Sequence, residues 1–155
     1  MSGSVVVKDG VFYLSGLIDE QVDFSPIMPV AGVMRIDFAD TTQINSVGIS
    51  RFVRVLQTYG HGKIEYHRCP PHVLDMISTV TSLLGPKKDP TIVKSFFVEF
   101  GCPSCQKTEV QLVSSQEVKR SGNYFEVNNR LCKSCGVLLR VSENLEDLLS
   151  FMGSR

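Results

Sequence analysis

Four of the five cysteines form two matched pairs, Cys102 with Cys105 in CPSC and Cys132 with Cys135 in CKSC. A two-residue gap lets both thiolates of a pair reach one metal ion. Two such pairs complete a closed tetrahedral shell, the usual arrangement of structural zinc. The 26 residues between the pairs are enough for a strand, a turn and a returning strand. Gly136 directly follows the second pair, where a tight knuckle favours an unhindered backbone. The competing readings are two disulfides or two redox motifs, but two Cys-x-x-Cys pairs at this spacing point to Zn2+. A closed four-thiolate shell leaves no position for water or substrate, so the expected metal is structural. Cys69, the odd thiol, precedes Pro70 and Pro71 at an expected strand end and reads as buried and inert.

The remaining reactive residue types do not converge. His61, His67 and His72 lack ligand spacing with one another, and Asp19-Glu20 and Glu146-Asp147 read as surface or helix-terminal charge. There is no glycine-rich phosphate loop and no serine in a G-x-S-x-G setting. Lys87-Lys88 is a short basic pair in a polar connection, too small for a polyanion site. The chain is therefore expected not to be an enzyme.

These 155 residues can hold one ordinary domain, or one domain plus a small module. Sixteen basic residues balance sixteen acidic ones, leaving no basic excess to hold a phosphate backbone. Nucleic acid is thus disfavoured as the main partner. The N-terminus lacks the charged and apolar regions of a signal peptide, and no apolar run reaches membrane-spanning length. The cysteines fit a metal site in a reducing compartment, so a cytoplasmic location and no membrane partner are expected.

The elements that must position these residues follow from periodicity. Residues 5–8 and 11–15 read as strands joined by an Asp9-Gly10 hairpin turn. Residues 19–28, with Pro26 at one end, read as irregular or as a short helix. Residues 33–38 alternate, with Met34, Ile36 and Phe38 on one face, and residues 39–45 read as a linker. A helix is expected over 46–59, with Ile49, Phe52, Val53 and Leu56 inward, Asn45 or Ser46 as N-cap and Gly60 as C-cap. A strand over 63–67 and a helix over 72–84, stopped by Gly85 and Pro86, come next. Beyond the connection at 86–91, residues 92–100, 109–113, 124–128 and 137–141 read as strands around the knuckles. A final helix over 145–152 carries Leu145, Leu148, Leu149 and Met152 inward, with Asn144 and Asp147 placed as a capping box.

Residues 11–84 carry a series of short signatures: FYLSGLID, MRIDFADTTQINSVGI and KIEYHRCPPHVLDMISTVTSLLG. In this order and spacing they resemble the STAS domain, the family of bacterial anti-sigma-factor antagonists. The resemblance implies an α/β fold, a small mixed sheet with packed helices, and a binding or switch role without catalysis. The family's D-S-S-G segment corresponds to Asn45, Ser46, Val47 and Gly48, which places Ser46 on the phosphorylated position. Asn45 and Val47 depart from the pattern, and a helix cap is the competing role for Ser46 and Asn45. A phosphate there would add about −1.5 to −2 charge at a helix N-terminus, where unpaired N–H groups tolerate it.

The resemblance also implies a strand and a helix after residue 84. Residues 92–100 and 145–152 fit them, with the four-cysteine, zinc-ribbon β-hairpin element inserted between; an appended independent module is the alternative. The expected organisation is a STAS-like domain over 1–95, a ribbon over 96–141, and a C-terminal helix over 142–155 packing back on the first unit. The expected function is a regulatory protein-binding module. It would present Asn45, Ser46, Val47, Gly48, Arg51 and Arg54 to another protein, such as a kinase-like or other signalling regulator. The alternative is nucleic-acid binding by the ribbon, through Lys107, Lys119, Arg120, Arg130 and Lys133, with Tyr124 and Phe125 available for stacking. Oligomeric state is left open.

Overall fold

A computed structural model describes residues 2–59, 63–85, 89–122 and 124–152. Gly60, His61, Pro86, Lys87 and Lys88, to which the sequence assigns a helix cap, a turn, a helix stop and a basic pair, lie outside the described residues.

The first sheet starts with the hairpin β1 (Ser4–Lys8) and β2 (Val11–Ile18). Asp9 and Gly10 both have positive φ, 51° and 76°, as a type I′ turn requires. β3 (Val33–Asp37) pairs parallel with the first half of β2, Phe12 opposite Ile36. Its apolar face is buried, with Met34, Ile36 and Phe38 all in the core.

The segment expected as a linker is a short strand, β4 (Thr41–Ile44), parallel to the second half of β2. It occupies the edge of β2 that β3 leaves free. Its own signal is weak because two of its four residues are solvent-facing and only Thr41 is buried, with Oγ1 donating to the Leu14 carbonyl at 2.7 Å. Residues 19–28 form turns rather than a helix, yet they bury Val22, Phe24 and Ile27.

α1 spans Ser46–Tyr59, and β5 (Lys63–His67) pairs parallel with β3. Phe38 stacks edge-on to Phe52 at 5.9 Å, fixing α1 over the sheet. The helix expected to reach Leu84 stops earlier. α2 covers Pro71–Thr79, and a 3-10 turn, Thr81–Leu84, follows. Thr79, Val80 and Thr81 are consecutive β-branched residues, and Thr79 Oγ1 bonds back to the Asp75 carbonyl at 2.9 Å. Both features work against helix continuation. The turn still buries Leu83 and Leu84, and Tyr66 Oη donates to the Leu83 carbonyl at 2.6 Å.

A second sheet is ordered β10–β6–β7, from β6 (Ser95–Gly101), β7 (Thr108–Ser114) and β10 (Arg140–Val141). β6 begins three residues later than expected, because Pro90–Ile92 forms a 3-10 turn. The entry to β6 runs beside the end of β5: Lys94 N–H donates to Tyr66 O at 2.8 Å and Phe97 N–H to Cys69 O at 2.9 Å. β8 (Lys119–Ser121) and β9 (Tyr124–Glu126) form a small separate hairpin. The final helix is likewise shorter than expected. α3 covers Leu145–Leu148, capped by the Asn144 side chain on the N–H groups of Glu146 and Asp147, and Ser150–Met152 is a 3-10 turn. α3 and this turn pack against α2, and Ser150 Oγ lies 2.9 Å from Ser78 Oγ. Leu145, Leu149 and Phe151 join the same buried cluster as Leu74, Ile77 and Phe96. No described helix is long and apolar enough to cross a membrane.

Candidate metal centre and the α1 surface

The two knuckles are near-copies of each other in backbone. Cys102 N–H donates to Lys107 O at 2.9 Å and Gln106 N–H to Cys102 O at 2.9 Å. In the second, Cys132 N–H donates to Val137 O and Gly136 N–H to Cys132 O, each at 2.8 Å. The residue after the second cysteine has positive φ in both, 60° at Gln106 and 73° at Gly136. Glycine meets that demand without strain, whereas Gln106 meets it against its side-chain preference. Its position in the repeated spacing, rather than its residue type, is the signal that marks it as a knuckle residue.

All four sulfurs lie within 4.8 Å of one another. Cys102 Sγ is 3.4 Å from Cys135 Sγ, and Cys105 Sγ is 3.7 Å from Cys132 Sγ. A tetrahedral shell with metal–sulfur bonds of about 2.3 Å needs sulfurs about 3.8 Å apart, so the cluster has the dimensions to hold one ion. Cys102 and Cys132 are buried, while Cys135 faces solvent.

Their electrostatics are uneven. The Cys105 N–H, at 3.4 Å, draws the Cys102 thiol down to about 6. The Cys135 and Ser134 N–H groups lower Cys132 in the same way. For Cys105 the Lys107 N–H pulls downward, but the neighbouring Cys102 sulfur and burial outweigh it and push the thiol up to about 11. Cys135 is pushed up too, by Cys102 and burial against the downward pull of the Val137 N–H. Four thiolates this close repel one another, and a divalent cation supplies the charge that lets all four ionise.

The other predicted residues gather at the start of α1. Asn45 is the N-cap: its Oδ1 accepts from Gly48 N–H at 2.8 Å, and its Nδ2 donates to Glu20 at 3.2 Å. Ser46 and Val47 occupy the first turn and are exposed, Val47 at 46%. Gly48 is buried against the end of β2, where a side chain would meet the Ile18 carbonyl. Arg51 is occupied within the fold: its guanidinium donates to the carbonyls of Asp19 and Glu20 and lies 5.3 Å from the Phe24 ring centre. Arg54 is exposed one turn further on. The structure thus brings Ser46, Val47 and Arg54 to the surface and uses Asn45, Gly48 and Arg51 to hold that surface in place.

The basic residues of the ribbon divide similarly. Arg130 pairs with Glu117 at 2.7 Å and lies over the Phe100 ring, and Arg120 donates to the carbonyls of Gly122 and Met152. Lys107 reaches Ser134 Oγ at 3.4 Å, whereas Lys119 and Lys133 are exposed. Phe125 is buried and Tyr124 exposed. Among the histidines, His67 bonds Glu65 at 3.0 Å, and burial lowers the pKa of His72. Cys69 is fully buried, and burial pushes its thiol far above the usual range.

A pair that sequence reasoning missed closes the ends of β3 and β5. Arg68, at φ 49°, makes a two-pronged contact with the buried Asp37 carboxylate at 2.7 and 3.1 Å. Nothing in the local pattern signals it, because the partners are 31 residues apart. No protein-family model matches the chain, and comparisons with curated proteins and with solved structures likewise find no match.

Proposed function

We propose that this protein is a non-catalytic regulatory module of the STAS kind, which binds another protein through the first turn of α1 and carries a structural Zn2+ on its four cysteines. The observation that carries the reading is the exposed pair Ser46 and Val47 on a backbone locked by the Asn45 cap, the Gly48 contact and the Arg51 strut. A surface fixed in advance loses little entropy on binding. A phosphate on Ser46 would place negative charge close to the Asn45–Glu20 contact while the fold beneath stays intact. The order hairpin, β3, α1, β5, α2 supports the family reading, and the set of four sulfurs with no open position supports a metal that stabilises rather than reacts.

The test is affinity purification of the tagged chain from its native cell, wild type against Ser46→Asp, Val47→Lys and Arg54→Glu. Loss or exchange of a bound protein in these variants is the expected result. A partner set and affinity unchanged by all three would overturn the reading. Elemental analysis is expected to give about one zinc per chain, bound by a shell of the closed four-thiolate type.

A further inference from the structure

The second sheet ends on an open edge. Among the described residues β7 pairs only with β6. The bonds Cys102 N–H to Lys107 O and Ser115 N–H to Lys94 O lie in register with this ladder, both at 2.9 Å. Antiparallel pairs alternate, so the odd-numbered residues of β7 turn their backbone groups toward β6. Thr108, Val110, Leu112 and Ser114 turn theirs outward. At one end this edge is stoppered: Ser114 N–H donates to Glu117 Oε2 at 2.8 Å, and Arg130 donates to the Leu112 carbonyl at 3.4 Å. The backbone groups of Thr108 and Val110, and the N–H of Leu112, meet no partner among the described residues.

Exposed edges are normally guarded by lysine, proline or a bulge. β7, TEVQLVS, has none of these, and its outward side chains Val110 and Leu112 are 63% and 44% exposed. The edge strand of the first sheet, β1, is shorter and ends in Lys8.

We propose that β7 is a dimerisation strand, pairing antiparallel with β7 of a second copy of this chain about a two-fold axis at Val110. In this register Val110 faces Val110, Leu112 faces Thr108, and the Glu109 carboxylate faces the Gln111 amide. The outward groups of all three facing pairs are then used, two bonds per pair and about six in all. The Leu112 carbonyl keeps Arg130 on its second lone pair. A strand that matches its own reverse is what a two-fold interface requires. Moving the axis to Gln111 would need the Ser114 N–H, which Glu117 already holds, and would set Glu109 against the buried Val113. The Arg130–Glu117 pair ends the pairing and fixes its length.

The experiment is sedimentation and light scattering of the full, zinc-loaded chain up to about 1 mM, the range in which weak association registers. A concentration-dependent dimer is expected. Val110→Lys is expected to weaken it at least about tenfold, by placing like charges face to face on an exposed position. Gln111→Lys is expected to tighten it by about threefold to tenfold, because each ammonium then faces Glu109 of the other copy. Unchanged zinc content in both variants shows that the ribbon is still folded. A chain that stays monomeric throughout, a dimer indifferent to Val110→Lys, or a dimer weakened by Gln111→Lys would each overturn the proposal. So would capture of a different protein on β7 by a chain that remains monomeric.

Discussion

Gly48→Ala sets two known effects against each other. At an exposed helix position, replacing glycine by alanine stabilises by about 1 kcal/mol. Here the added Cβ would meet the Ile18 carbonyl oxygen in overlap, with the Ile18 carbonyl carbon at 2.7 Å and the Asp19 nitrogen at 3.1 Å. All three are backbone atoms, so no side chain can swing away. Relief requires lifting the first turn of α1 from the end of β2, at the expense of the Asn45 N–H to Ile18 O bond of 3.1 Å and the cap on Gly48. Overpacking of this kind costs about 1–3 kcal/mol, and a lost cap about 1 kcal/mol more. The steric side wins, and the net expectation is a loss of about 2 kcal/mol. For a chain of this size that lowers Tm by roughly 4–8 °C. Ser50→Ala, exposed on the same helix, is the control and is expected to gain a few tenths of a kcal/mol, about 1 °C. Thermal unfolding followed by circular dichroism reads both. A Gly48→Ala protein as stable as wild type, or more so, would refute the claim that close approach dictates glycine here.

Chelation at neutral pH is expected to release residues 102–139 as a unit while the β1–α2 unit stays folded, read by hydrogen exchange; uniform loss of protection would contradict it. Cys105→Ser is expected to reduce zinc content by more than tenfold and to raise protease cleavage between the knuckles, since the remaining ligands no longer close the shell. Arg68→Ala leaves the Asp37 carboxylate with the Ala39 N–H at 2.9 Å as its remaining partner among the described residues; because Arg68 is half-exposed, the cost is about 1–2 kcal/mol. Asp37→Asn together with Arg68→Ala should recover part of that loss, and no recovery would mean that the pair is not what the first variant removed.

Elements with a complete local signal were legible in the sequence. α1 begins at Ser46 because Asn45 caps it and Ile49, Phe52, Val53 and Leu56 share its inward side. β5 needs no more than its alternation, and Asn144 marks the start of α3. The misses occur where partners decide. β4 is a strand only because β3 stops after Asp37 and leaves the edge of β2 open. α2 ends at Thr79, in the β-branched run over 79–81, and a 3-10 turn then carries Leu83 and Leu84 into the core, a break that apolar spacing over 72–84 does not mark. The four cysteines were legible as a cluster, since their spacing encodes geometry. The occupation of Arg51 was not, because its acceptors are backbone carbonyls 31 and 32 residues away.

The position of the four cysteines bears on how the ribbon keeps its place. β6 is shared: its first half bonds to Cys69, just beyond β5, and its second half leads directly into Cys102. β10 returns from the second knuckle to pair with Phe100 and Gly101 at the far end of the same strand. A metal joining the knuckles would therefore close a loop whose two ends both rest on β6. It would limit the unfolded excursions of the 26 residues between the inner cysteines, Cys105 and Cys132. From β10 only three residues separate Val141 from Leu145, so the same closure would aim α3 at α2, where Leu149 is fully buried. Beyond the ribbon itself, loosening the metal site should therefore be felt in the packing of α3 on α2, and only weakly at Ser46, whose turn rests on β2, the Asn45 cap and Arg51.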